Sequence, residues 1–250
     1  MSDNGLWDKH AQWWIDGFTG GVDPEYEEQI IPLATEELAG FTNVLDVGCG
    51  DGQIARALAA QGSTVLGIDP TQLHVDIARK RGGGPTYELG SATSLPVPDG
   101  SQDAVVACLV FEHIDELDEA ISEVCRVLRV GGQFSFFLNH PLLQTPGSGW
   151  IDDHIIDPPE QYWRIGPYLV EAESVEEVEK DVFIRFLHRP LSRYMNSLIA
   201  HDLRVERMLE PGPPQGFLDR APEYALAHTI PRLLYLRSVK VSSTESTLKS

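Results

Sequence analysis

Asn43-Val44-Leu45-Asp46-Val47-Gly48-Cys49-Gly50-Asp51-Gly52 decides how this chain is read. A short apolar run ends in a carboxylate and then breaks into alternating glycines. Val44, Leu45 and Val47 suit a strand covered on both faces of a parallel sheet. Gly48, Gly50 and Gly52 permit a sharp turn and close approach of the backbone to a ligand. Gln53 to Gln61 follows with helical spacing at Ile54 and Leu58, and Gly62 closes it as a C-cap. Strand, glycine turn and helix place a ligand at the carboxyl end of the strand, where open α/β sheets bind nucleotides. Thr64 to Ile68 is the next apolar strand, and Asp69 ends it with a carboxylate suited to both hydroxyls of a ribose.

Glycine spacing separates this plan from a dinucleotide site. The dinucleotide fingerprint is G-x-G-x-x-G with a pyrophosphate on the helix N-terminus. Here the pattern is G-x-G-x-G, Gln53 stands where the third glycine belongs, and Asp46 would repel a pyrophosphate. The same carboxylate would attract an ammonium group. The stretch resembles motif I of the class I S-adenosylmethionine-dependent methyltransferases, and the likeness continues through ordered segments between about residues 43 and 139. Ile68-Asp69-Pro70 resembles the ribose-binding strand end, and Gly90 to Pro96, followed by Pro98 to Asp103, resembles the adenine loop and its lead into the fourth strand. Val110 to Ile114 resembles the segment after that strand, and Arg126 to Gly132 the helix exit and glycine turn before the fifth.

The resemblance implies a doubly wound, seven-stranded, mostly parallel α/β sheet that binds S-adenosylmethionine and releases S-adenosylhomocysteine. Asp46 would hold the methionine amino group, Gly48, Cys49 and Gly50 would line the close approach, and Asp69 with Pro70 would take the ribose. Ser91 and Ala92 would meet the adenine; Ser91 replaces a frequent acidic residue, and its neutral hydroxyl makes the weaker hydrogen bond. Leu109 would contact the cofactor at the end of the fourth strand, and Trp14 or Tyr26 would cover the methionine end.

The 250 residues, 42% hydrophobic, suffice for one well-cored domain over 1–241 with a modest insertion. A formal net charge of −19 repels a phosphate backbone and disfavours a nucleic-acid substrate. No apolar run of membrane-spanning length occurs, and the first 20 residues lack the pattern of a signal peptide, so a cytoplasmic protein without membrane partners is expected. Cys49, Cys108 and Cys125 lack metal-ligand spacing and read as reduced. Asp152, Asp153, His154 and Asp157 have no glycine-fixed ligand frame and read as a solvated acidic loop rather than a metal site.

Trp7, His10, Trp13 and Trp14 mark an aromatic helix at the N-terminus. Asp23-Pro24 caps a second helix, with a kink expected at Pro32. Residues 140–190 are too long for a simple connection and read as a cap inserted after the fifth strand. Val182 to His188 alternates as a strand, with Tyr168-Leu169-Val170 as its expected partner. Ser192 is expected to cap a helix, and Leu203–Leu209 with 232–241 to finish the sheet as antiparallel strands. The Ser/Thr-rich end, 242–250, is expected to be disordered.

Methyl transfer from a sulfonium is an in-line displacement, so the protein's task is alignment in a water-poor pocket. A hydroxyl acceptor benefits further from a base. His140, after the fifth strand, is the first candidate base and His113, after the fourth, the second. The competing account of each is structural: turn chemistry at Pro141, and packing of the loop beneath the cofactor. Trp150, Tyr162, Trp163 and His188 are candidate substrate contacts, forming either an aromatic wall around a ring or the insertion's own small core. The expected acceptor is a small molecule reacting through oxygen. Two other readings use parts of the same pattern: a non-catalytic protein that senses S-adenosylmethionine or its product, and a nicotinamide-dependent oxidoreductase.

Overall fold

The computed structural model describes residues 4–220, 222–223 and 226–242. Its centre is a seven-stranded sheet built from β1 (Asn43–Val47), β2 (Thr64–Asp69), β3 (Thr86–Leu89), β4 (Gln102–Cys108), β5 (Leu128–Asn139), β10 (Leu203–Leu209) and β11 (Leu233–Lys240). The spatial order is β3-β2-β1-β4-β5-β11-β10, parallel except for β11, which runs antiparallel to both neighbours. The chain winds outward from β1 in one direction and from β4 in the other. The crevice at their carboxyl ends is the topological switch point of an open α/β sheet.

Period-two burial explains the layers. Leu45, Val47, Val105, Ala107, Phe134 and Phe136 face α5 (Leu117–Val127) and α6 (Leu191–Ala200), whereas Val44, Val65, Val106 and Phe137 face the opposite layer. That second layer contains α2 (Ile31–Glu37), α3 (Gln53–Ala60) and α4 (Gln72–Arg81). Asp46 shares the side of β1 occupied by Val44, so its carboxylate is buried beneath these helices. Glu37 ties α2 to the far edge of the sheet: it pairs with Arg207 and Arg237 and accepts a 2.9 Å hydrogen bond from Tyr235 Oη.

The N-terminal aromatic helix is α1 (Asn4–Phe18). Asp23 caps the second helix, accepting from Glu25 N–H at 3.0 Å. The expected kink at Pro32 takes another form. A π-helical turn, Tyr26–Ile30, precedes α2, and Ile31 N–H reaches back to Tyr26 O, a widening that accommodates a proline with no N–H of its own. Strand β5 begins at Leu128 rather than near Gln133. Its pairing with β4 starts at Gln102↔Leu128 and resumes at Ala104↔Gln133, with the intervening glycines bulged out.

Residues 140–190 hold two hairpins where one was expected. β6 (Gly149–Asp153) pairs with β7 (Glu160–Arg164), and β8 (Ala172–Glu179) pairs with β9 (Val182–His188). The partner of β9 is therefore not Tyr168–Val170, which forms a turn after Pro167 in which Val170 N–H donates to Pro167 O at 3.0 Å. The β9 strand reaches α1 and the segment after β4, where Phe183 N–H lies 3.5 Å from His10 Nε2 and Arg185 O takes a hydrogen bond from His113. Helix α6 starts after Pro190, with no side-chain cap from Ser192. The expected disorder at 242–250 falls, from 243 onward, outside the described residues.

Candidate active site

A cavity of about 490 Å³ opens at the switch point. Every residue assigned to the cofactor from sequence lines it: Asp46, Gly48, Cys49 and Gly50 from the end of β1, Asp69 and Pro70 from β2, Ser91 and Ala92 after β3, Leu109 after β4, and Trp14 from α1. The glycine turn is shaped for this. Gly48 has φ +72°, and a Cβ there would lie 2.3 Å from Val110 Cγ2, so the turn admits no side chain while β4's exit stays in place. Leu109 itself holds φ +56°, a left-handed conformation rare outside glycine and of the kind that clusters at ligand sites.

The two acids differ in what they already hold. Asp69 accepts Gly50 N–H at 2.9 Å and Thr71 N–H at 2.9 Å, and His74 Nδ1 lies 3.4 Å away. A carboxylate has about four acceptor positions, so capacity remains for ligand hydroxyls. Asp46 is fully buried, and its Oδ2 has no hydrogen-bond partner. Burial, reinforced by the negative charge of Asp69, pushes the Asp46 carboxyl up to about 7. An unpartnered buried carboxylate oxygen beside a second acid is a place for a cation, and these residues fit the amino group and ribose of S-adenosylmethionine.

Asp51, in the same turn, is buried against Arg56 and Arg81, and Arg81 also reaches Thr19 at the end of α1. Gln53 donates to Phe18 O at 3.0 Å. These contacts fasten α1 to the glycine turn and hold Trp14 over the cavity, where its ring stacks on Phe18 at 4.5 Å and meets the edge of Tyr26 at 6.1 Å. Tyr26 lines the cavity as well.

Among the histidines the structure selects differently from the sequence. His113 lines the cavity; its Nδ1–H donates to Arg185 O at 2.7 Å, which leaves Nε2 as the accepting nitrogen. Burial lowers its pKa to about 4. His140 does not line the cavity: its Nε2–H donates to Glu210 Oε1 at 2.8 Å, and its Nδ1 accepts Leu142 N–H at 3.2 Å. Both ring nitrogens serve the turn that follows β5. His188 is likewise outside the cavity lining, buried, with Nε2–H on Tyr168 O at 2.8 Å. Trp150 and Trp163 line a separate, smaller cavity, and Tyr162 is exposed on β7. These positions lie across the cap, and linear spacing carries no information on which way its two hairpins face.

His74 was missed. It lies in the first turn of α4, five residues beyond Asp69, and lines the cavity on that acid's flank; its place just after the second strand's acid was the available signal. Arg189 was also missed. It is buried and donates to Phe111 O, Ile114 O and Asp115 O at 2.7–3.0 Å, fixing the turn that carries His113. Nothing local marks it, because its partners lie more than 70 positions away. Among the described residues no group of three or more metal-ligating side chains converges.

Sheet order and paired acids at adjacent strand tips are those of an α/β domain of the methyltransferase type. Residues 45–136 match the family described as methyltransferase domain. An uncharacterized methyltransferase of Mycobacterium sp. (strain JLS) is 41% identical over 101 residues, 40% of this chain and 39% of that protein. The malonyl-[acyl-carrier protein] O-methyltransferase of Serratia marcescens is 34% identical over 108 residues, 43% and 42% of the two chains. The aligned part thus spans about two fifths of these relatives' length. A crystal structure of an S-adenosylmethionine-dependent methyltransferase from Mesorhizobium loti superposes with a TM-score of 0.72 at 26% identity, over 83% of this chain and 96% of that one. Over residues 45–136 the chain thus matches a methyltransferase domain, and its seven-stranded sheet has the fold of the class I S-adenosylmethionine-dependent methyltransferases.

Proposed function

We propose that this protein transfers the methyl group of S-adenosylmethionine to a small, uncharged acceptor, with an oxygen atom as nucleophile. The observation that carries the reading is the buried, unpartnered Asp46 oxygen beside Asp69 in a 490 Å³ cavity at the switch point. When bound, S-adenosylmethionine supplies an electrophilic methyl on a positively charged sulfur. Asp46 and Asp69 anchor it at two ends, Trp14 and Tyr26 exclude water, and the acceptor is left to be aligned. His113 supports the choice of oxygen: its Nε2 can accept a hydrogen bond from a hydroxyl and orient its lone pair. A conjugate acid near 4 makes it a weak base, so it orients the hydroxyl, and the proton freed as the methyl passes from sulfur to oxygen is released to solvent.

Charge narrows the acceptor. The cavity is lined by Asp46, Asp51, Asp69, Asp115, Glu116 and Glu119, and among the described residues no Lys or Arg side chain lines it. A carboxylate or phosphate acceptor would meet repulsion from these acids with no lining Lys or Arg to offset it. The test is a transfer assay with methyl-labelled S-adenosylmethionine and matched sets of phenols and alcohols, amines, and carboxylic acids. Label in the neutral oxygen set supports the proposal. Label confined to the acids contradicts it.

A further inference from the structure

The second cavity has about 180 Å³ and shares no lining residue with the cofactor cavity. Trp150 and Trp163, directly opposite across β6 and β7, form one wall, their rings 5.6 Å apart and nearly perpendicular. Leu143, Phe217 and Arg232 contribute to the rest. The lining is largely apolar, yet it holds two buried donor atoms with no well-formed hydrogen bond: Trp163 Nε1, and Arg232 Nε, which is paired with Glu25 Oε1 only at 3.5 Å. A buried donor left unsatisfied costs about 1–3 kcal/mol, and native proteins keep few of them.

Size and charge indicate what would satisfy them. A cavity of about 150 Å³ lined by apolar side chains admits benzene, so this one admits a single substituted ring. The three aromatic side chains offer faces and edges for such a ring. The Arg232 guanidinium lies 4.1 Å over the Phe217 ring, and its Nε is 3.5 Å from Glu25 Oε1. Its charge is therefore already offset, and Asp23 lies close enough to act on Glu25 as well. A second anion would leave this partly buried corner with net negative charge. A neutral oxygen acceptor makes the hydrogen bonds without that cost.

We propose that this cavity is a binding site, separate from the cofactor cavity, for a neutral molecule of one planar ring bearing a carbonyl-type oxygen that accepts from Trp163 Nε1–H on the side of Arg232. The site stands whether or not the chain transfers methyl groups.

Calorimetric titration of the full-length protein with benzamide tests it, with benzoate and benzylamine beside it, each with and without saturating S-adenosylhomocysteine. Benzamide is expected to bind with the same Kd in both conditions, and both charged analogues to bind at least about tenfold more weakly. Trp163→Phe keeps an aromatic ring, though a smaller one, and removes the N–H, and is expected to weaken benzamide about fivefold while leaving S-adenosylhomocysteine binding intact, which also shows that the variant is folded. Three results would each overturn the proposal: no benzamide binding at about 5 mM, equal binding by Trp163→Phe, or displacement by S-adenosylhomocysteine. Failure of S-adenosylhomocysteine to bind the wild type would count against the methyltransferase reading alone.

Discussion

Asp46 combines burial, a neighbouring acid and an oxygen with no partner. Its folded pKa of about 7 lies above the ordinary 3.8, so the folded, ligand-free protein favours the protonated acid. Ionisation destabilises that state progressively as pH rises from about 4 to about 7, and the full penalty stands above 7. A bound ammonium reverses the preference. S-adenosylhomocysteine affinity is therefore expected to rise about tenfold per pH unit from about pH 5 to 7 and then level off. Glu112, also pushed up to about 7 by burial, titrates in the same range but lies outside the cavity lining. Asp46→Asn keeps Glu112 and should flatten the binding profile, which calorimetry at several pH values would show; an unchanged slope in the variant would remove Asp46 from the account. His113 behaves oppositely. Its pKa is depressed below the ordinary 6.5, so its contribution to stability is present above about 6.5 and is lost as pH falls through about 4. The kcat profile should accordingly lack a histidine step between about pH 6 and 7. At this scale the residues that line the cavity were legible because strand tip, glycine turn and second acid are local patterns. His140 and His113 each follow a strand, and the sequence put His140 first; the contacts with Glu210 and with Arg185 O reverse that order.

Two elements bear on how the cavity is held open and how the sheet is closed. In the turn after β1, Gly48→Ala would force a left-handed alanine and drive its Cβ into Val110. The expected cost is about 2 kcal/mol or more, with loss of cofactor binding, read by denaturant unfolding and calorimetry on the same sample. At the other end, Glu37 is buried and serves Arg207, Arg237 and Tyr235 together. Both arginines are about a third exposed and can be rehydrated. Glu37→Ala should therefore cost about 1–3 kcal/mol rather than the full cost of stranding a buried charge. Stability unchanged in urea would show the cluster to be ornamental. Elements with strong periodicity, such as β1, α3 and α5, were readable because burial alone dictates their pattern. The cap was less so. β8 alternates weakly, with four glutamates between Ala172 and Glu179 and its side chains mostly exposed, so nothing in its composition distinguished it from a loop.

For the molecule as a whole, 38 acidic and 19 basic side chains give a net charge of −19, and the compact state must carry that repulsion. Added sodium chloride, by screening it, is expected to raise Tm between about 0.02 and 0.3 M, and a flat Tm would show that ion pairs already balance the charge locally. Sheet order was legible because ordered motifs, each tied to a strand end, leave one plausible winding. The two hairpins and the second cavity were not: the hairpins contain weakly alternating segments, and the cavity brings residues 143–163 against 213–232, a contact that no periodicity records. None of the helices among the described residues is long and apolar enough to cross a membrane. The central claim is that Asp46 and Asp69 together form an S-adenosylmethionine site. Calorimetry of S-adenosylhomocysteine binding to the wild type and to Asp69→Ala, with NADH as control, tests it most directly. The expected result is binding by the wild type, at least about tenfold weaker binding by the variant, and none of NADH. A folded wild type that binds NADH, or that does not bind S-adenosylhomocysteine, would contradict it.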